Sequence, residues 1–323
     1  GLGFMAFWLR LGMAGPTPRQ PLFHVDAKTR KLLDPRAIAR AEALGMNARF
    51  IVEGYMAGEH KSPYRGFAIE FAQHREYAPG DDVRHLDWKV QAKTERFYIK
   101  QYEQETNFVA HLLLDGSESM KYGSGEISKL EYGKMMAACL SYMVLHQRDA
   151  VALGIFDEEV REYLPRSDNR DNLFRIMDRL AGFDPVGGTR VAPVLHGMAS
   201  QIRRKGIVVV ISDFFDDEDE LFKSIQHLRF NGHEVILMQV LDPAEIDFPF
   251  KGMVQFDGLE NIPVVRTRPS QIKKSYHREF EAFRERLRSA CEKHQCHFVS
   301  LRTDEPLDEV LANYLAFRKS SAC

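Results

Sequence analysis

From residue 108 onward the apolar positions alternate between short continuous runs and stretches at helical spacing. Phe108–Leu114 is a nearly continuous apolar run closed by Asp115, and it predicts a buried strand. Tyr132, Met135, Met136, Cys139, Leu140, Met143 and Val144 then recur at helical intervals. Val151–Phe156 predicts a second strand. Val160–Leu164 follows too closely for a helical crossover, so this third strand must return antiparallel. Helices are expected over Asn169–Leu180 and Val191–Arg203. Ile207–Ile211 is an unbroken β-branched run, the mark of a strand buried on both faces. A helix over Glu218–Phe230, a strand over Glu234–Val240, a helix over Gln271–His294, a strand over Cys296–Leu301 and a helix over Leu307–Phe317 complete the series.

This alternation predicts an α/β fold: a doubly wound, mostly parallel sheet with one antiparallel edge strand and helices on both faces. Its crossovers should be right-handed, and ligands should bind beyond the carboxyl ends of the strands. The upstream part reads differently. Residues 1–30 read as a flexible tail, with Pro16, Pro18 and Pro21 in its second half. A short helix is expected over Asp34–Leu44, capped by Asp34, with Pro35 at its first position and Gly45 at its end. Polar residues between short apolar runs, with turn signals at Gly58, Ser62-Pro63 and Pro79-Gly80-Asp81-Asp82, predict strands and loops up to residue 107. The expected division is therefore the tail, a smaller α+β region over 31–107 that packs on the main domain, and the main domain over 108–323.

Composition narrows the class. In 323 residues, 44% are apolar and 28% charged, as in an ordinary globular protein, which excludes disorder, collagen and coiled coil for the bulk of the chain. Its 44 basic and 46 acidic residues nearly cancel, and the richest basic spots are as short as Arg203-Arg204-Lys205, so a nucleic-acid partner is not expected. The apolar stretch at Phe4, Phe7, Trp8, Leu9 and Leu11 is interrupted by Arg10 and is too short for a bilayer. It also lacks the basic region that opens a signal peptide. No membrane span is expected. Cys139, Cys291, Cys296 and Cys323 make no disulfide framework in a chain of this length, and reduced thiols favour the cytoplasm. Cys291, His294, Cys296 and His297 have a spacing that zinc sites use, but a helix end running into a buried strand accounts for it.

The candidate chemistry lies at the strand ends. The first strand ends Asp115-Gly116-Ser117-Glu118-Ser119, the β-branched strand ends Ser212-Asp213, and Gly187-Gly188-Thr189 stands just before a helix. Asp115, Ser117, Ser119, Thr189 and Asp213 thus bring hard oxygen donors to one end of the sheet, a set suited to Mg²⁺ or Mn²⁺. Gly116 and Gly187-Gly188 would let the backbone turn tightly around the ion. Ordinary capping explains each residue singly, with Thr189 or Ser119 as a helix cap and Asp213 as a strand end. Their joint occurrence, in this order and on these elements, favours a metal site. The acids should then face each other at the rim of the domain rather than fill its core.

Asp115-x-Ser117-x-Ser119 with Thr189 and Asp213 resembles the metal-ion-dependent adhesion site of von Willebrand factor type A domains. Upstream, Tyr64-Arg65-Gly66, Arg75-Glu76-Tyr77, Pro79-Gly80-Asp81-Asp82, Asp87-Trp88 and Lys100-Gln101 resemble the signature of the domain-of-unknown-function 58 proteins, which carry such a domain. The resemblance implies that Ser117 and Ser119 ligate Mg²⁺ directly, Thr189 directly or through water, and Asp115 and Asp213 through waters. It implies a final ligand from a partner's carboxylate, and a partnership with a MoxR-type AAA+ ATPase in assembling or activating another complex.

Two smaller features have simpler readings. Asp216-Asp217-Glu218-Asp219-Glu220 reads as the acidic first turn of a helix. Arg75, Arg84, Lys89 and Lys93 are as readily salt-bridged structural residues as a partner surface. The competing function is a Mg²⁺-dependent phosphohydrolase, whose first strand also ends in an acid. That chemistry usually takes a second carboxylate two residues on, where this chain has Ser117, and no phosphate-cradling Gly-rich loop is present. Gly-x-Ser-x-Gly is absent around Ser117, and no histidine completes a triad order. A non-enzymatic, metal-dependent protein-binding module is the expectation.

Overall fold

A computed structural model describes residues 109–185, 187–258 and 265–320, together with Leu11–Gly12, Leu32, 69–76, Trp88, 90–91 and 96–104. Of the expected tail over 1–30, Leu11–Gly12 are described and pair antiparallel with Gly258 and Asp257; its remainder and the helix over Asp34–Leu44 lie outside the described residues, as do Arg84, Lys89 and Lys93. The chain divides into two compact units, one formed by Glu59–Phe108 and the other by Gly1–Gly58 with Val109–Cys323. Within the smaller unit, strands Ile69–Glu76 and Tyr98–Gln104 pair antiparallel.

The main sheet of the larger unit has six described strands: β1 (Val109–Asp115), β2 (Ala150–Phe156), β3 (Val160–Ser167), β4 (Ile207–Ser212), β5 (Glu234–Leu241) and β6 (His297–Arg302); Leu11–Gly12, Val254–Gly258 and Val265–Thr267 form a small antiparallel sheet apart from it. Their order is β6-β5-β4-β1-β2-β3, parallel throughout except for the β2–β3 pair. This is the doubly wound sheet that the alternating pattern predicts. The helices are α1 (Lys129–His146), α2 (Asn172–Gly182), α3 (Val191–Gln201), α4 (Glu218–Phe230), α5 (Pro243–Asp247), α6 (Pro269–Lys293) and α7 (Leu307–Ser320).

Each face of the sheet has its own filling. Leu113, Val208, Val210, Val235 and Leu237 pack against α3, α4 and α6. On the opposite face α1 comes so close that a Cβ on Gly133 would stand 2.9 Å from Leu114 Cδ1. After β1 the chain crosses to β2 on one side, whereas after β4 it crosses to β5 on the other. The switch point therefore falls between β1 and β4, the place where sheets of this kind bind ligands beyond the carboxyl ends of the strands, and Asp115 and Asp213 lie there. Among the described residues no helix is long and apolar enough to cross a membrane.

Local details depart from the expected pattern. The helix expected from Asn169 starts at Asn172, because Asn169 instead closes a turn through its Oδ1 and carbonyl. The acidic run does cap α4: the Asp217 carboxylate accepts the Glu220 N–H at 3.0 Å, while Glu218 takes a bidentate pair with Arg286. Cys291 ends up inside α6 and Cys296 beyond it, both buried, and burial pushes each thiol up to about 12. At neutral pH they are protonated and inert.

One core residue is costly. His111 sits on β1, is buried, and neither ring nitrogen has a hydrogen-bond partner among the described residues. Burial, then His233 and Arg166, push its pKa from 6.5 to about 4. The unfolded chain therefore takes up a proton below about pH 6.5 that the folded chain refuses until about pH 4, so this residue's contribution to stability is lost as pH falls through that window. His111→Leu should remove the loss. In urea titrations the variant's advantage over wild type should grow on acidification, by on the order of 3 kcal/mol at full extent. An advantage independent of pH would show that His111 titrates normally.

Candidate metal centre

Asp115 ends β1 fully buried, and both of its carboxylate oxygens are held. Oδ1 accepts the Ser117 N–H at 2.9 Å, and Oδ2 accepts the Ser212 hydroxyl at 2.6 Å from the end of the adjacent strand. The first bond curls the chain after β1 into a tight turn, which a 3₁₀ helix over Glu118–Lys121 continues. The Ser117 and Ser119 hydroxyls are thereby brought within 3.1 Å of each other. Thr189 arrives from a different segment, and its hydroxyl lies 3.3 Å from Ser119 Oγ. The two segments are tied by a backbone bond from Glu118 N–H to the Gly187 carbonyl at 3.0 Å. Thr189 does not cap α3: that position falls to Arg190.

Asp213 follows β4. Its Oδ1 accepts the Phe215 N–H at 3.2 Å and its Oδ2 accepts Lys129 Nζ at 2.8 Å. All five expected residues are thus gathered at the switch point, the hydroxyls linked to one another and the acids each held by two donors. Two expectations are corrected. The five residues are between 0% and 5% exposed, so the site lies beneath the surface and not at the rim. Gly116 is required for close approach and not for an unusual turn: its φ is not positive, but a Cβ there would overlap the Phe183 ring. Gly187 is similarly crowded: a Cβ there would stand 2.8 Å from Asp157 Oδ2.

Lys129, Glu245 and Ser212 are site residues that the motif did not reveal. Lys129 is fully buried at the first turn of α1 and bonds Glu245 Oε1 at 2.7 Å as well as Asp213. Glu245 is fixed in turn by a capping box with Asp242, whose N–H donates to Glu245 Oε2 at 2.8 Å. A local signal existed for Lys129 and for Glu245. A lysine at a helix N-terminus opposes the helix dipole and needs a reason, and Asp242-Pro243-Ala244-Glu245 is a legible capping box.

The electrostatics favour a cation. Asp115, Asp213 and Glu245 bring three buried carboxyls against one ammonium. Burial, then the neighbouring Asp213 charge, raises Asp115 to about 7. Burial likewise raises Glu245 to about 7, against the pull of Lys129. Burial works to lower Lys129, but Asp213 and Glu245 outweigh it and hold the ammonium above its ordinary range. The donor set is all oxygen. Neighbouring ligands of an octahedral Mg²⁺ at ~2.1 Å stand roughly 3 Å apart, close to the spacings of the hydroxyl chain. The residues present therefore fit a small hard cation.

Comparison with known families adds one decisive observation. The model of a family described as "Protein of unknown function DUF58" matches residues 73–286. The chain belongs to this family. The matched span takes in all five candidate residues, Asp115 to Asp213, and most of the upstream signature. Two similar chains are the uncharacterized protein Mb1516 of Mycobacterium bovis and the uncharacterized protein Rv1480 of Mycobacterium tuberculosis. Each is 24% identical over 294 residues, 90% of this chain and 92% of its own. Among solved structures, the conserved hypothetical protein BatB from Bacteroides thetaiotaomicron is 14% identical, with a TM-score of 0.45 over 66% of this DUF58 chain and 99% of its own. The SpRpn10 VWA domain is 14% identical, with a TM-score of 0.38 over 64% and 94% respectively.

Proposed function

We propose that this DUF58 protein is a non-enzymatic, cytoplasmic protein-binding module that engages a partner's carboxylate through Mg²⁺ or Mn²⁺. Ser117, Ser119 and Thr189 would hold the ion, and Asp115 and Asp213 would steady waters around it. The observation that carries this reading is the chain of three hydroxyls, at 3.1 and 3.3 Å, set against two pinned carboxylates. When bound, the ion supplies a positive centre that recognises an acidic side chain. The protein's own part is positional: the Asp115 turn fixes the two serines, the Gly187 contact fixes Thr189, and Lys129 fixes Asp213.

The partner proposed from the family resemblance is a MoxR-type AAA+ ATPase, served in assembling or activating another complex. Immobilised wild-type protein should retain a purified ATPase of this type in millimolar Mg²⁺ and release it in chelator, while Asp115→Asn should retain none. Equal retention by both proteins would remove the metal from the interaction.

The alternative, a Mg²⁺-dependent phosphohydrolase, places Asp115 as nucleophile. Both of its oxygens are engaged by Ser117 and Ser212, and Ser117 stands where the acid/base carboxylate is needed. The purified protein should therefore not turn over phosphate esters or nucleotides. A Mg²⁺-dependent rate lost in Asp115→Asn would establish the enzyme instead.

A further inference from the structure

Lys129 is an unusual residue for its place. It is fully buried at the start of a helix, where the dipole disfavours a cation, and taking an ammonium out of water is expensive. An apolar side chain would fill the same space without that cost. The ammonium is nevertheless caged: it bonds Asp213 Oδ2 and Glu245 Oε1 and lies 5.4 Å from the Phe215 ring and 5.9 Å from the Tyr122 ring. Glu245 is itself immobilised by Asp242 N–H, and its carbonyl accepts the Tyr276 hydroxyl at 2.6 Å. The cage thus holds the ammonium at one spot, against one oxygen of Asp213.

That contact constrains Asp213. With Oδ2 on the ammonium and Oδ1 on the Phe215 N–H, the carboxylate is drawn toward protein donors. A carboxylate in direct contact with a divalent ion cancels half its charge, whereas hydroxyl ligands leave that charge intact. We propose that Lys129 is a positioning residue that keeps Asp213 from coordinating the metal directly, so that the ion retains its charge for an incoming carboxylate. This rests on the metal-site reading above and adds to it a role for a residue outside the motif. The competing role is plain neutralisation of two buried acids, with no effect on how the ion is coordinated.

The test uses Mn²⁺, whose effect on water-proton relaxation reports the waters bound to it, with acetate as the carboxylate probe. Lys129→Met is the direct variant. Because it strands two buried carboxylates, Lys129→Met/Glu245→Gln is made beside it, with one of those charges removed. If Asp213 is freed, the variant should bind Mn²⁺ tighter by about tenfold or more, since a unit charge a few ångströms from a divalent ion is worth that much even at an effective dielectric of about 20. Its bound Mn²⁺ should carry less exchangeable water than in wild type, because Asp213 replaces a water. Acetate should lower the relaxation enhancement of wild type and leave the variant unchanged. Wild-type binding with hydration and acetate response unaltered in the variants, whatever their affinity, is the result of plain neutralisation and would overturn the role of Lys129 while leaving the metal site standing. Failure of wild type itself to bind Mn²⁺ would overturn the site, and this inference with it.

Discussion

In metal-free buffer near pH 8, Asp115→Asn should melt at a higher temperature than wild type, and Mg²⁺ should raise the melting temperature of wild type alone. Asp115 is fully buried and its carboxyl is pushed from 3.8 up to about 7, first by burial and then by the charge of Asp213. Above that pH the folded chain carries the carboxylate at a penalty that amounts to a few kcal/mol, at roughly 1.4 kcal/mol for a tenfold change in proton affinity. Asparagine keeps the shape, can still accept the Ser117 N–H, and can turn its amide toward Ser212 Oγ, but carries no charge. A gain of a few kcal/mol would raise the melting temperature by about 4 °C or more in a domain of this size. The sign with pH follows from the raised value. Between about pH 7 and pH 3.8 the folded state holds a proton that the unfolded state has lost, so wild type recovers the penalty on acidification and the variant's advantage shrinks. With Mg²⁺ the order should reverse toward wild type, whose native state alone gains RT ln(1 + [L]/Kd). If Asp115→Asn is strongly destabilising without metal, Asp115 is a structural residue and the site loses its main support.

Val209→Asp sets the other end of the scale. Val209 lies on β4 in register with Leu112 on one side and Ile236 on the other, and is 4% exposed in the middle of the sheet. An aspartate there has neither water nor a counter-charge, and leaving a carboxylate unpaired in an apolar interior costs several kcal/mol. Domains have only about 5–15 kcal/mol to lose. The variant should show no cooperative melt, with or without Mg²⁺. A folded Val209→Asp with a normal transition would mean that β4 is not the central strand. The two aspartates thus mark opposite cases: a carboxylate that the site has built donors for, and one for which the sheet has none.

Most of the fold was legible because the buried strands are continuous apolar runs. Ile207–Ile211 needs no partner information to read as a strand, and the short step from Phe156 to Val160 forces the antiparallel return. The strands Val254–Gly258 and Val265–Thr267 carry no such signal. In the first, among the side chains described, only Phe256 is buried while Gln255 is exposed, so no apolar run announces it. The five motif residues were legible because three of them sit at alternate positions after one strand. Lys129 and Glu245 each carried a local signal, but their pairing was not legible, because it joins segments 116 residues apart. Depth was also hidden. Polar residues at strand ends look like surface, and only the packing of Phe183 over Gly116 and of the Gly187 segment over Glu118 shows them enclosed.

The most direct test of a cation held by the three hydroxyls is an anomalous difference map from crystals of the protein grown with Mn²⁺, compared with crystals of Asp115→Asn grown identically. A single strong peak in coordination contact with the Ser117, Ser119 and Thr189 hydroxyls, absent from the variant, is the predicted result. Well-ordered wild-type crystals with no peak there at millimolar Mn²⁺, or with an equal peak in both proteins, would contradict it.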